Sequence, residues 1–167
     1  GAFGAKDEIH VQIHAALLTQ VSGRPVRILR TREESILTHV KRHPITVHHK
    51  IGATKDGKIT AVDLKAIADT GPYMNAGLHV MWFAGTVASG PYYLPNVRIE
   101  TMAVRTNNPV GGAMRGFGGP QVALAYEGQM DELANPVDMD PVEVRRINAI
   151  QSGEVTPNGD IVRNADA

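Results

Sequence analysis

Two glycine-rich loops are the parts of this sequence whose residue types point most directly to chemistry. They span residues 1–6 and 111–120, and each contains one phenylalanine and one cationic side chain. Glycine lets a backbone approach a ligand closely, and successive backbone N–H groups attract anionic oxygens. Both loops lead towards predicted helices, whose N-termini add partial positive charge. The pattern fits a phosphate-bearing cofactor, although neither loop has the dinucleotide-binding or P-loop spacing and a plain tight turn is the alternative.

The histidines and one acidic pair are the other candidates for chemistry. Two pairs of histidines have the i, i+4 spacing that can bind zinc: His10 with His14, and His39 with His43. Neither pair has the intervening glutamate and third ligand of a zinc protease, so structural or surface roles are favoured. His48 and His49 would point to opposite faces of a strand. Asp7 and Glu8 stand at a predicted helix start, where acids complement the helix dipole.

Composition restricts the function classes that remain. The chain has 167 residues, 43% of them hydrophobic and 20% charged, which is typical of one globular domain. It has no cysteine, which excludes disulfides, iron–sulfur clusters and thiol catalysis within these residues. The net charge is zero, so no overall field attracts nucleic acid or a membrane, and we expect a cytoplasmic protein. The chain opens without methionine inside a glycine loop, which favours a piece of a longer protein.

The elements that must position the loops predict an α+β fold, with a mixed sheet, a β-hairpin and packed helices. Strands over 45–51 and 58–68 flank an Asp-Gly turn, which is a strong hairpin signal. The other predicted strands are 26–30 and 97–105, and the predicted helices are 8–22, 73–89, 121–134 and 140–147. Gly23 is expected to end the first helix, and a capping box of Asp140 and Glu143 is expected to begin the last one. Residues 1–150 are expected to form one domain, followed by a polar tail, 151–167, that we expect to be poorly ordered.

Both glycine loops are also recognisable as sequence motifs. Residues 1–7 read GAFGAKD and residues 114–121 read MRGFGGPQ, with supporting segments SGRPV, YLPNVR, TNNP and MDPVE. In this order they resemble the large, molybdopterin-binding subunit of the molybdenum hydroxylases, the family that includes xanthine dehydrogenase and aldehyde oxidase. The resemblance implies that the chain is the first portion of the molybdenum-binding region of a larger subunit.

The resemblance also implies roles for individual residues. The main chain of Phe3, Gly4 and Arg115 would contact the molybdenum–molybdopterin cofactor, and the ring of Phe117 would stack on a planar substrate. Asp7 stands where xanthine-type enzymes carry a substrate-binding glutamate, and it is one methylene shorter. No side chain of this segment would bind the metal. No catalytic residue is nominated, because the family's general base lies beyond residue 167.

One position departs from the xanthine-type pattern. Phe83 stands where the vertebrate xanthine enzymes place a substrate-binding arginine, which weakens an assignment to xanthine itself. The implied reaction is hydroxylation of a purine or related N-heterocycle with water as the oxygen source, the electrons passing to iron–sulfur clusters. The implied partners are the rest of the molybdenum subunit, iron–sulfur and flavin (FAD) domains or subunits, and a small heteroaromatic substrate. Alone, the chain is expected to be inactive, and surface left uncovered would be consistent with a homodimer.

Two alternatives remain open at this point. One is an aldehyde-type or nicotinate-type molybdenum hydroxylase. The other is a non-enzymatic binding or assembly module that meets its partner through residues 24–50, where seven Lys/Arg stand against two Glu. That module would associate in a salt-sensitive manner and would contact no cofactor at either loop.

Overall fold

The computed structural model describes residues 2–165, so Gly1 of the first loop and the last two residues of the predicted tail lie outside it. Its elements are, in chain order, α1 (His10–Ser22), α2 (Arg32–Thr38), β1 (Ile45–Ala53), β2 (Ile59–Asp69), α3 (Gly77–Val87), β3 (Val97–Val104), α4 (Gly119–Ala134) and α5 (Pro141–Asn148).

The sheet has the strand order β1-β2-β3 and mixes the two pairing directions. β1 and β2 pair antiparallel through a tight turn in which Gly57 adopts φ +78° and its N–H donates to the Thr54 carbonyl oxygen (3.0 Å). β2 and β3 run parallel, which requires a crossover connection, and α3 is the helix within it. The predicted α+β fold with a mixed sheet and a hairpin is therefore confirmed.

The core lies between one face of the sheet and the helices α3, α4 and α5. On β2 the alternate residues Leu64, Ala66 and Ala68 are fully buried, as a half-covered strand requires. They meet a set of apolar side chains from the three helices: Met81, Ala84, Val122, Met130, Leu133 and Val144. This single hydrophobic layer fixes where α3 and α4 begin, and the second glycine loop leads directly into α4.

A buried amide joins α5 to the hairpin. The Asn148 side chain is 5% exposed, and its Nδ2 donates to the carbonyl oxygens of Gly57 and Val144 (both 2.8 Å). Its Oδ1 accepts from the N–H of Ile59 (2.8 Å). Asn148 therefore satisfies backbone groups at the end of the turn and at the start of β2.

Helix ends follow the residues expected to cap them. Gly23 ends α1 in the left-handed conformation (φ +63°), and the Asp140 carboxylate accepts from the N–H of Val142 (2.8 Å) at the start of α5. The reciprocal half of the predicted capping box is not formed, because the Glu143 carboxylate pairs with Arg146 instead (2.7 Å).

The region between residues 23 and 39 is where the sequence prediction was wrong. Residues 26–30 alternate in burial but pair with no other strand, so they form irregular chain rather than a strand. The following helix, α2, was not predicted. Its signal is a capping box, in which Thr31 Oγ1 accepts from the N–H of Glu34 and the Glu34 carboxylate accepts from the N–H of Thr31.

The described part of the tail, 151–165, forms turns with backbone pairing of its own. Val155 and Ile161 form an isolated antiparallel bridge, and the Asn158 side chain donates to the Thr86 carbonyl oxygen at the end of α3 (3.1 Å). The boundary predicted near residue 150 stays a prediction. Among the helices of residues 2–165, none combines the length and apolar character needed to cross a membrane.

Replacing Asn148 with alanine should lower the free energy of unfolding by about 1–3 kcal/mol, because it leaves buried backbone groups without partners. Urea denaturation measures the change. The control is Asn107→Ala, whose side chain is exposed and whose replacement should stay within about 0.5 kcal/mol of the parent. Equal effects of the two substitutions would show that the Asn148 contacts contribute nothing.

A second prediction concerns the adjacent histidines of β1, of which His49 is half-buried against the core and His48 is exposed. Burial lowers the pKa of His49 below its usual value, with a smaller opposing effect from Gln129. The unfolded chain therefore binds more protons than the folded chain as the pH falls through about 6.5, and the free energy of unfolding should fall with it.

His49→Leu should reduce that pH dependence without removing it, because burial also lowers the pKa of His43. The exposed control, His48→Leu, should not reduce it. Urea denaturation between pH 5 and pH 8 tests both. An unchanged slope in His49→Leu would contradict the assignment.

Candidate functional site

The two glycine loops are in direct contact, although more than a hundred residues separate them in the sequence. The N–H of Arg115 in the second loop donates to the carbonyl oxygen of Phe3 in the first (3.0 Å). The Arg115 guanidinium carbon also lies 5.2 Å from the centre of the Phe3 ring, within the range of a cation–π contact. The structure therefore brings Phe3, Gly4 and Arg115 together.

Gly4 lies where the two backbones approach each other closely. It adopts φ +96°, and a β-carbon placed on it would lie 2.2 Å from the carbonyl oxygen of Ala113. No side chain can be accommodated there unless the loops separate. Gly4 is thus required by both its conformation and its contact.

Both loop phenylalanines adopt a left-handed backbone conformation that non-glycine residues rarely use. Phe3 has φ +54° and Phe117 has φ +47°, and the glycines that follow them have φ +96° and +99°. The left-handed conformation costs roughly 1–2 kcal/mol at each such phenylalanine. The surrounding contacts must hold both bends in place.

Arg42 is one of those contacts. Its Nη2 donates to the carbonyl oxygen of Arg115 (2.7 Å) and its Nη1 to Oε1 of Gln121 (3.4 Å). Gln121 in turn donates through Nε2 to the carbonyl oxygen of His43 (3.1 Å). These bonds fix the second loop, and the first turn of α4, to the segment that precedes β1.

The beginning of the second loop packs against the same segment. The N–H of Gly112 donates to the Lys41 carbonyl oxygen (2.8 Å), and a β-carbon on Gly112 would lie 2.4 Å from the Val40 side chain. A β-carbon on Gly111 would lie 2.5 Å from the ring of His43, which is 2% exposed. Gly111 and Gly112 therefore serve packing.

Phe117 is half-buried and has a second aromatic ring beside it. The Phe83 ring, on α3, lies 6.5 Å from the Phe117 ring, centre to centre, at an interplanar angle of 60°. Phe83 is 36% exposed, so the pair borders solvent. The two rings form an apolar surface next to the bend made by residues 114–118.

Asp7 follows the first loop directly, and its N–H donates to the carbonyl oxygen of Gly4 (3.3 Å). Its side chain is exposed. A carboxylate at this position is available to a ligand.

The histidine pairs are not arranged as the i, i+4 spacing would place a zinc site. His10 lies next to His39, with ring centres 6.2 Å apart, and 3.4 Å from a Glu8 carboxylate oxygen. His43 is buried beneath Gly111, where burial lowers its pKa and Asp69 partly opposes that effect. Within residues 2–165, no group of three or more His, Asp or Glu side chains is placed to hold a metal ion.

Comparison with known proteins identifies the family to which both glycine loops belong. The model of the molybdopterin cofactor-binding domain matches residues 1–149. The chain belongs to this family of molybdopterin cofactor-binding domains. Both glycine loops and the whole sheet lie within the matched range.

Relatives of this cofactor-binding domain are much longer than the chain. It is 46% identical to the nicotinate dehydrogenase large molybdopterin subunit of Eubacterium barkeri, over 99% of this chain and 39% of that protein. It is 45% identical to a probable xanthine dehydrogenase subunit of Bacillus subtilis (strain 168), over 94% of this chain and 21% of that protein. The aldehyde oxidoreductase of Desulfovibrio gigas superposes with a TM-score of 0.89 at 33% identity, covering 96% of this chain and 18% of that one. The chain thus spans about two fifths or less of these relatives.

The residues at the contact of the loops fit a group that is approached by main chain. Gly4 leaves no room for a side chain on its Ala113 side, and the Arg115 backbone is held at its N–H by Phe3 and at its carbonyl oxygen by Arg42. Three cations, Lys6, Arg42 and Arg115, lie on or beside the loops and suit the anionic oxygens of a phosphate-bearing cofactor.

Sequence reasoning missed the residues that hold this site together. Arg42 and Gln121 carry no motif of their own that marks a loop contact, and their partners lie 73 and 78 residues away in the chain. Gln121 was visible as the last residue of the MRGFGGPQ motif. Arg42 was visible only as one of several basic residues in the 24–50 stretch.

Replacing Gly4 with alanine should separate the loops, because the new methyl group would overlap the Ala113 carbonyl oxygen. We expect the Arg115 amide, which bonds to Phe3, to exchange its hydrogen about tenfold faster or more, since exchange reports local opening. Amide exchange measured by mass spectrometry tests this.

Gly153→Ala is the matched control. Gly153 has nearly the same backbone conformation (φ +93°), but a β-carbon there meets nothing within 4 Å. This control should leave the exchange rate of the Arg115 amide within about twofold of the parent rate, because Gly153 lies outside the unit that opens. An Arg115 amide unaffected by Gly4→Ala would show that the close approach does not hold the loops together.

Proposed function

We propose that this chain is the first part of the molybdenum-binding region of a larger subunit, acting in the cytoplasm. The complete enzyme would hydroxylate an electron-poor carbon of a purine or a related N-heterocycle, with water as the oxygen source. The observation that carries the proposal is the bond from the Arg115 N–H to the Phe3 carbonyl oxygen, which joins two family motifs in one place.

In this proposal the main chain of Phe3, Gly4 and Arg115 holds the molybdenum–molybdopterin cofactor. When bound, that cofactor supplies the redox chemistry and activates water near neutral pH. Arg42 keeps the Arg115 peptide in place through its carbonyl oxygen, and Gly4 keeps side chains out of the gap between the loops. These residues position the cofactor and keep side chains out of the gap between the loops. None of them transfers a proton.

The substrate would lie against Phe117. Its ring offers a flat apolar face to a planar heterocycle, and the tilted Phe83 ring closes one side of that surface. The Asp7 carboxylate would accept a hydrogen bond from a ring N–H or an exocyclic amino group. No residue of this chain is assigned as the general base.

The relatives support two substrate types, and the proposed contact with the Asp7 carboxylate distinguishes them. One relative is named a nicotinate dehydrogenase subunit and another a probable xanthine dehydrogenase subunit. A nicotinate carboxylate near Asp7 would meet a like charge, which disfavours it, whereas a neutral heterocycle with an N–H would gain a hydrogen bond. The Asp7 carboxylate therefore favours the neutral N-heterocycle. Nicotinate-type or aldehyde-type hydroxylation is the second candidate.

The remaining partners follow from the length of the relatives. Because the chain spans 39% or less of them, the rest of the molybdenum subunit would supply the other cofactor contacts and the general base. Iron–sulfur and FAD domains or subunits would complete the enzyme. We expect the 167-residue chain alone to show no turnover of hypoxanthine.

The complete enzyme should hydroxylate hypoxanthine or another neutral N-heterocycle faster than nicotinate or an aldehyde. Phe117→Ala should lower kcat/KM for that substrate about tenfold, since a lost aromatic contact is worth about 1.5 kcal/mol. Asp7→Ala should lower kcat/KM for the neutral heterocycle while sparing aldehydes. Steady-state kinetics with a neutral N-heterocycle, nicotinate and an aldehyde measures these effects.

Trp82→Ala serves as the control, because Trp82 is an exposed aromatic residue on the same helix as Phe83. Its kcat/KM should stay within about twofold of the parent, as expected for a surface substitution. A preference for nicotinate or aldehydes that Asp7→Ala leaves unchanged would favour the second candidate. Turnover of hypoxanthine by the isolated chain would contradict the proposal that the rest of the subunit supplies the general base and the other cofactor contacts.

A further inference from the structure

The strand β3 lies at one edge of the sheet, and only one of its two sides is paired. Its neighbour is β2, and no other strand of residues 2–165 pairs with it. At the two ends of the ladder, the carbonyl oxygens of Asn96 and Val104 accept from the N–H groups of Val62 (2.9 Å) and Thr70 (3.0 Å). In a parallel pair every second residue bonds to the neighbouring strand, so the even-numbered residues of β3 bond to β2. The backbone groups of the odd-numbered residues therefore point away from the sheet: Val97, Ile99, Thr101 and Ala103.

This free edge lacks the features that usually keep a strand from pairing further. Exposed edges are commonly protected by a proline, a bulge or a very short strand. β3 has eight residues, contains no proline, and pairs with β2 without a register shift. Its charged side chains, Arg98 and Glu100, bond to each other on the open face of the sheet (3.2 Å). The edge thus remains a template for one more strand.

A groove lies beside the free edge, on the side of the sheet that α3 covers. Val97, Ile99 and Thr101 line it from β3, and Gly85 and Thr86 line it from α3. A β-carbon on Gly85 would lie 3.1 Å from the Thr101 methyl group, so the helix packs closely on the strand at that point. A segment that adds to a sheet edge needs main-chain partners and pockets for its alternate side chains. The free edge supplies the partners, and the groove supplies the pockets.

The tail brings the chain to this groove. Asn158 lines it and is held there by its hydrogen bond to the end of α3 (3.1 Å). Residues 153–157 lie beside Val97, the first residue of β3. The N–H of Ala165 donates to Oγ of Ser152 (2.8 Å), which returns the tail to the same region. The tail therefore passes the start of the free edge.

We propose that the free edge of β3 is the docking site for an extended segment of the rest of the molybdenum subunit, which adds a fourth strand to the sheet. The inference rests on the proposed function for the existence of that larger subunit. The chain covers only 39% of the nicotinate dehydrogenase subunit, so a subunit of that length has ample sequence to supply the segment. The course of the tail favours a segment of the same subunit over a second copy of the chain.

The segment has a defined chemistry. About seven residues would pair with residues 97–103, and every second side chain would point towards α3. Those side chains would be uncharged, because the groove presents Val97, Ile99 and the methyl group of Thr101 and no ionised group of α3 or β3. The proposal therefore identifies a strand with uncharged residues at alternate positions.

Hydrogen exchange of individual β3 amides in the complete enzyme tests the pairing. Mass spectrometry with electron-transfer fragmentation separates neighbouring amides. The N–H groups of Ile99 and Thr101 should exchange within about tenfold of those of Glu100 and Met102, which β2 protects. An open edge would instead leave Ile99 and Thr101 at least about a hundredfold faster than Glu100 and Met102, and this result would overturn the proposal. The measurement needs no substitution, so it does not depend on a variant that folds.

Two variants separate edge pairing from packing. Ile99→Pro removes an N–H of the free edge and leaves the bonds to β2, so an open edge would tolerate it. On a paired edge it should speed exchange of the Thr101 amide at least about tenfold, while Glu100 and Met102 stay protected. Ile99→Val keeps the N–H and should leave the Thr101 amide within about threefold of the parent. A Thr101 amide that responds equally to both variants would contradict the pairing.

Photo-crosslinking identifies the occupant. The probe is p-benzoylphenylalanine in place of Thr86, at the groove, in the complete enzyme. We expect a crosslink to another part of the same molybdenum subunit, with a yield that does not change on dilution. A crosslink to a second copy of the subunit, or to an iron–sulfur or flavin subunit, would overturn the proposal. Because these readouts involve no turnover, the proposal can fail while the substrate kinetics succeed, and the reverse.

Discussion

The close approach of two backbones at Gly4 is the constraint on which the site depends. A hydrogen bond from the Arg115 N–H to the Phe3 carbonyl oxygen defines the approach, and the missing side chain of Gly4 permits it. Two phenylalanines adopt left-handed backbone conformations on either side of this contact. Such strain persists only where surrounding structure fixes it. The contacts of Arg42 with the Arg115 carbonyl oxygen and of His39 with the Ala5 carbonyl oxygen supply that fixing from one short segment before β1.

The rest of the fold serves to deliver these parts to one place. The hydrophobic layer under β2 sets α3 and α4, and thereby places Phe83 beside Phe117 and the second loop at the start of α4. Asp69, at the end of β2, accepts hydrogen bonds from Thr106 and Asn108, which direct the chain from β3 towards that loop; these bonds lower the pKa of Asp69. The site is thus assembled at one end of the sheet by contacts among distant segments.

Local signals in the sequence predicted local structure well. The Asp-Gly turn of the hairpin, Gly23 after α1 and Asp140 before α5 each act within a few residues, and each lies where it was expected. Residues 26–30 failed because a strand exists only with a partner, and alternation cannot supply one. The meeting of the two loops was expected from the family resemblance, since nothing in composition links residue 3 to residue 115. Arg42 and His39 escaped prediction because hydrogen bonds to distant carbonyl oxygens leave no pattern in the sequence.

The exposure of α1 affects the stability of the first glycine loop. None of its residues is buried, and its apolar side chains Ile13, Leu17, Leu18 and Val21 are each half or more exposed. A helix of 13 residues without tertiary packing is only marginally stable in water. Since the first loop leads straight into α1, melting of the helix would loosen the main chain around Gly4. Covering the helix and ordering the loop are therefore thermodynamically linked, and whatever stabilises one raises the population of the other.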